Sequence, residues 1–162
     1  MKTRFLWIED NARTDLVHLL TPIYMDGRYD PVIAPTVSEG LYQMRKAEFA
    51  AVVVDIRLLP GNDREWKELY IKKGEDKGQA RLGLFLLYSL FSPRVDDLKI
   101  RDDRLRWVKA ARFGVLTVED LHSRELSQAL RSFGITVCEQ KTTRTPNSTL
   151  LKMVERLTGG TQ

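Results

Sequence analysis

Short, nearly unbroken apolar runs alternate with amphipathic stretches along this chain. RFLWI (4–8) and AAVVV (50–54) are the clearest runs. Such continuity is the pattern of strands buried on both faces, as in a parallel sheet covered by helices. FGVLTV (113–118) and ITVCEQ (135–140) read as further strands, and YDPVI (29–33) as a weaker fifth. Pro31 places that fifth strand at a sheet edge, where a missing backbone donor is tolerated. Between the strands, residues 11–24 carry Leu16, Val17, Leu19, Leu20 and Ile23 on roughly one helical face. Residues 38–47 read as a helix capped by Ser38. LGLFLLYSLF (82–91) is apolar nearly all round, which predicts a buried helix. Residues 122–133 read as a helix stopped by Gly134, and Asn147, Ser148 and Thr149 as the cap of a last helix that runs to Leu157 before Gly159 and Gly160.

The strand–helix alternation predicts an α/β fold, a doubly wound five-stranded parallel sheet with right-handed crossovers and helices on both faces. One domain over 1–162 is expected. Two charged stretches, 62–82 and 92–112, interrupt the rhythm and read as ordered insertions. The first follows the C-terminal end of a strand and the second precedes the N-terminal end of one, so they belong at opposite poles of the sheet.

Composition changes this picture little. At 162 residues, with 43% hydrophobic and 30% charged residues, the chain can bury a sizeable core. No apolar run reaches membrane-span length, and MKTRFLWIED meets acid too early for a signal peptide. With the single Cys138, this points to a cytoplasmic protein without an internal disulfide. The formal charge is +4, but 26 basic residues are interleaved with 22 acidic ones, which favours a mixed solvated surface over a nucleic-acid patch. The cluster Lys99, Arg101, Arg104, Arg106, Lys109 and Arg112 contains Asp102 and Asp103 and is read as a solvated helix face. His18 and His122 lack metal-site spacing and are read as surface residues.

The chemistry lies at the strand ends. Ligands of open α/β sheets bind beyond the carboxyl ends of the strands. Here those ends carry Glu9 and Asp10, Asp55, Thr117, and Lys141. Taken singly, Asp55 suits a turn before Pro60-Gly61, Glu9 and Asp10 suit a helix start, Thr117 is an ordinary strand residue and Lys141 faces solvent. Gathered at one rim, the three carboxylates repel unless a cation sits among them, most simply Mg²⁺. A hydroxyl and an ammonium opposite them suit phosphoryl oxygens, and an aspartate can form an acyl phosphate.

On these residues the chain resembles the receiver domains of bacterial two-component response regulators. The resemblance rests on LWIED (6–10), VVVDIRLLPG (52–61), GLFLLYSL (83–90), VLTVE (115–119) and FGITVCEQK (133–141), in family order. It implies a flavodoxin-like receiver architecture in which Asp55 is the phosphoacceptor. Asp10, Asp55 and the backbone carbonyl of Arg57 would bind Mg²⁺, assisted by Glu9. Lys141 would pair first with the acceptor and then with the phosphoryl group, and Thr117 would swing onto a phosphoryl oxygen. The implied partners are a histidine kinase or phosphotransfer protein and a downstream protein target, reached through the face made by the family's fourth helix and the fifth strand. It implies no enzyme beyond self-catalysed phosphotransfer and dephosphorylation. No DNA-binding segment is read after Leu157, and a homodimer is left open.

Several positions depart from the family pattern. Pro60 comes one residue late, Thr142 replaces a proline, Val118 is bulkier than usual and would narrow the path of hydrolytic water, and Cys138 stands in place of a switch aromatic. Arg57 and Glu119, each two residues after a site residue, are expected to pair over the acceptor, and 62–82 to form a lid or partner surface. Two alternatives stand beside the receiver. One is a pseudo-receiver scaffold without phosphotransfer. The other is a small flavodoxin-like nucleotide-binding protein, against which counts the lack of a glycine-rich loop after Trp7 or Val54.

Overall fold

In the computed structural model, which describes residues 1–92 and 102–159, alternate residues of the central apolar runs enter different cores. The strands are β1 (Thr3–Ile8), β2 (Tyr29–Ala34), β3 (Ala51–Val54), β4 (Phe113–Thr117) and β5 (Val137–Gln140). All pair in parallel, in the order β2-β1-β3-β4-β5, so Pro31 does lie on an edge strand. From β1 and β3, Leu6, Ile8, Val52 and Val54 enter one core, while Phe5, Trp7, Ala51 and Val53 enter the other. A strand with a core on each face has no solvent side for polar residues to mark, hence the unbroken runs.

The helices are α1 (Thr21–Asp26), α2 (Val37–Lys46), α3 (Arg64–Lys72), α4 (Lys77–Ala80), α5 (Leu82–Phe91), α6 (Arg124–Phe133) and α7 (Thr149–Thr158). Ile23 of α1 with Leu150, Met153 and Val154 of α7 closes the Trp7 core. Leu41 and Met44 of α2, Leu86 and Leu87 of α5, and Leu126 and Leu130 of α6 close the core beneath Ile8. The fold is thus the expected doubly wound five-stranded sheet. Among the described residues no helix is long and apolar enough to cross a membrane.

Three local expectations need correction. Residues 11–24 are not one helix: turns lead to a 3-10 turn at Val17–Leu19, and α1 starts afresh at Thr21. Pro22 sits in the first turn of α1, where its missing N–H is harmless, whereas further inside a helix its ring would meet the preceding turn. The cap of α2 is Thr36 and not Ser38, because Thr36 Oγ1 accepts from the Glu39 amide at 3.1 Å. Ser38 instead donates to the Pro60 carbonyl and accepts from the Asp63 amide. Of the second charged stretch, residues 93–101 lie outside the described residues, Lys99 and Arg101 among them. Its remainder forms 3-10 turns at Asp103–Leu105 and Ala110–Arg112 rather than a helix face. Trp107 anchors it by donating to the Met44 carbonyl at 3.1 Å, and Arg104, Arg106 and Arg112 pair with Asp102, Asp103 and Glu48. His18 and His122 are exposed.

Candidate functional site

Parallel pairing brings the residue after each strand to one rim, and the ladder continues one step beyond the strands to hold them there. The Asp55 amide donates to the Ile8 carbonyl at 3.1 Å, that of Glu9 to Ala34 at 2.9 Å, and that of Lys141 to Thr117 at 2.7 Å. These bonds extend the registers Ile8↔Val54 and Thr117↔Gln140. Glu9, Asp55 and Thr117 are all buried, and for the two carboxylates that is an uncommon state unless they are paired.

Lys141 supplies much of that pairing. Its Nζ donates to Glu9 Oε1 at 2.9 Å and to Asp55 Oδ2 at 3.1 Å. Asp55 Oδ1 accepts from the Arg57 amide at 3.3 Å, so the loop after β3 turns back on Asp55. One carboxylate oxygen from each of Glu9, Asp10 and Asp55 lies within 4.8 Å of the others. Burial pushes the Glu9 carboxyl up to about 9, the charge of Asp55 adds to the rise, and Lys141 only partly opposes it. Thr117 Oγ1 accepts from the Glu119 amide at 3.3 Å.

Glu9 Oε2 and Asp10 Oδ1 are buried without a hydrogen-bond partner. An orphaned buried oxygen costs about 1–3 kcal/mol. Close, oxygen-only and unsatisfied donors of this kind fit a hard divalent cation such as Mg²⁺ or Ca²⁺.

The first charged stretch contributes residues that the sequence reading missed. Lys77 of α4 donates to Asp10 Oδ2 at 2.5 Å. Arg81 donates to Glu119 Oε1 and to Glu125 Oε2, each at 3.1 Å. The expected Arg57–Glu119 pair is present, with Nε and Oε1 3.3 Å apart, so two guanidinium groups grip one carboxylate. Lys77 is one of several basic residues in 62–82, and nothing in their spacing marks it out. Gly83 opens α5 against Asp55: a Cβ there would meet the Asp55 carbonyl oxygen at 1.9 Å.

The departures have structural counterparts. The late Pro60-Gly61 turn docks on the start of α2, where the Val37 and Ser38 amides donate to the Leu59 and Pro60 carbonyls. Gly61 adopts φ +82°, with Thr36 and Ser38 where a Cβ would go. Thr142 is tied locally by its amide to Thr145 Oγ1 at 2.7 Å, and Lys141 reaches the acids all the same. Val118 is 46% exposed and points to solvent. Cys138 is half-buried, and burial pushes its thiol up to about 11.

No family model matches the sequence, and none of the curated proteins does. Solved structures resemble the chain over nearly its whole length. One is a response regulator receiver domain protein from Methanospirillum hungatei, 20% identical, with 97% of this chain and 94% of that one covered and a TM-score of 0.57. Another is the receiver domain of a sensor histidine kinase from Pseudomonas aeruginosa with a magnesium ion coordinated in its active-site cleft, 15% identical, covering 98% and 99%, TM-score 0.55. A third is a response regulator from Burkholderia pseudomallei with a phosphorylated aspartic acid and a calcium ion, 19% identical, covering 94% and 66%, TM-score 0.57. At this level of identity the likeness is one of architecture, and with the parallel order β2-β1-β3-β4-β5 it establishes that this chain has the fold of response-regulator receiver domains.

Proposed function

We propose that this chain is a receiver-type signalling unit over 1–162 that accepts a phosphoryl group on Asp55 and acts through protein–protein contacts. The observation that carries the reading is the convergence of Glu9, Asp10 and Asp55 with Lys141 at 3.1 Å from the acceptor. An Asp55 oxygen attacks the donor phosphorus, a new O–P bond forms, and the donor's bond to phosphorus breaks with its electron pair leaving on the donor. Lys141 holds the carboxylate in place and then balances the added negative charge, and Thr117 offers a buried hydroxyl to a phosphoryl oxygen. Glu9, Asp10, Asp55 and the Arg57 carbonyl would hold Mg²⁺. When bound, it neutralises charge on the transferring oxygens. The implied donor is a histidine kinase or phosphotransfer protein. The output would be a population shift at the face of α6 and β5, biased by the charge change at Asp55. The solved receiver with a phosphorylated aspartic acid and the one with magnesium support this assignment by fold.

One observation favours a second reading, a pseudo-receiver scaffold: the Lys77 ammonium already occupies Asp10. Intact mass spectrometry of wild type and Asp55→Ala, with Mg²⁺ and a small acyl-phosphate donor, separates the two. An Asp55-dependent gain of one phosphoryl group supports the receiver; no gain supports the scaffold.

A further inference from the structure

The segment around Lys77 combines a close ionic contact, a strained backbone and an exposed approach, with Ala80 at its end seated in the core. Lys77 Nζ lies 2.5 Å from Asp10 Oδ2, with the Asp10 side chain 9% exposed and that of Lys77 37% exposed, so the ammonium has an open route to solvent. It satisfies only one oxygen of the cluster and leaves Glu9 Oε2 and Asp10 Oδ1 unpartnered. The carrier, α4, is a single helical turn of four residues, and residues 71–76 before it are exposed. Among the described residues, the only non-glycine residues with left-handed backbone are Glu75 (φ 55°) and Arg81 (φ 49°), and they bracket α4. Such conformations persist only where surrounding contacts hold them. For Arg81 those contacts are Glu119 and Glu125.

We propose that Lys77 is a resident counter-cation that a divalent ion must displace, so that the 73–81 segment has a docked and a released state exclusive of one another. This rests on the receiver reading of the acidic cluster and adds regulation to it. An ammonium on Asp10 and a divalent cation among Glu9, Asp10 and Asp55 repel at contact distance, and both need the same carboxylate. Because coupling is reciprocal, a protein partner that captures the released segment raises metal affinity, and metal raises affinity for that partner. The contact is thereby an autoinhibitory latch supplied by the insertion itself.

The test is Mg²⁺ and Mn²⁺ titration calorimetry on wild type, Lys77→Met, Lys77→Gln, Lys77→Arg and the control Lys67→Met, with hydrogen exchange of 73–81 followed alongside. Both neutral Lys77 variants are expected to bind metal about tenfold or more tightly than wild type, while Lys77→Arg and Lys67→Met stay near wild type. Metal should accelerate exchange of 73–81 in wild type and leave it unchanged in Lys77→Met. Two neutral variants keep a misfolded one from deciding the outcome. Equal affinities for wild type and the neutral variants, or an equal gain in Lys67→Met, overturn the latch alone and leave Asp55 phosphorylation standing. No metal binding by any of the chains overturns both the latch and the metal part of the receiver reading.

Discussion

Lys141 Nζ donates to Glu9 Oε1 at 2.9 Å, joining two residues 132 positions apart. In the sheet order, β3 and β4 stand between the strands that carry them, so the lysine side chain reaches along the rim past Asp55 to the far acid. This contact ties the candidate site into a single charged unit.

Removing the lysine should therefore destabilise the whole rim. Its side chain is 8% exposed and pairs with two buried acids. Breaking a buried pair from one side typically costs ~3–5 kcal/mol. Because Glu9, raised to about 9, already holds its proton at neutral pH, the charge left unpaired is chiefly that of Asp55, so Lys141→Met is expected to lose about 3 kcal/mol in urea unfolding at neutral pH, the low end of that range.

Glu9 should make metal-free stability depend on pH. Its folded-state pKa is raised to about 9 from 4.5, chiefly by burial and then by Asp55. Between those values the folded state holds more protons than the unfolded one, so stability falls as pH rises from 4.5 to 9. Glu9→Gln is expected to flatten that slope in denaturation curves taken across the window. Mg²⁺ binding near neutral pH should release a proton, read as a calorimetric enthalpy that varies with the ionisation heat of the buffer.

Gly83 should tolerate no side chain. A Cβ would sit 1.9 Å from the Asp55 carbonyl oxygen, which is backbone and cannot swing aside. Gly83→Ala is expected to cost ~1–3 kcal/mol, as overpacking does. It should also displace the acceptor, seen as a reduced yield of the Asp55 adduct by intact mass in protein that still folds by circular dichroism.

Glu119 holds Arg57 and Arg81 together beside the loop that follows Asp55. If this cluster covers the acyl phosphate, Glu119→Ala should shorten its half-life several-fold, and Glu119→Gln should fall between. An unchanged half-life would show that the cluster shapes the loop without shielding it.

The element order, the edge position of Pro31, the burial of 82–91 and the stop at Gly134 were all legible from periodicity and turn chemistry. These depend on neighbours close in sequence and on whether a strand is buried on one face or both. The break before Pro22 was legible in principle, but the apolar spacing over 11–24 masked it. Ser38 is a good cap in isolation and lost to Thr36 because Pro60 and Asp63, distant in sequence, claim its hydroxyl.

The rim residues Glu9, Asp10, Asp55, Thr117 and Lys141 could be named from the chain because parallel pairing leaves the ends of strands nowhere else to go. Lys77 and Arg81 could not. Their roles depend on how the excursion through α3 and α4 folds back over the rim, and on which of many similar cations ends within reach of Asp10 and Glu119. Which segments are strands or helices follows from local pattern and short-range sterics, whereas ion pairing across the rim follows from long-range placement of interchangeable charges, which only the tertiary fold decides.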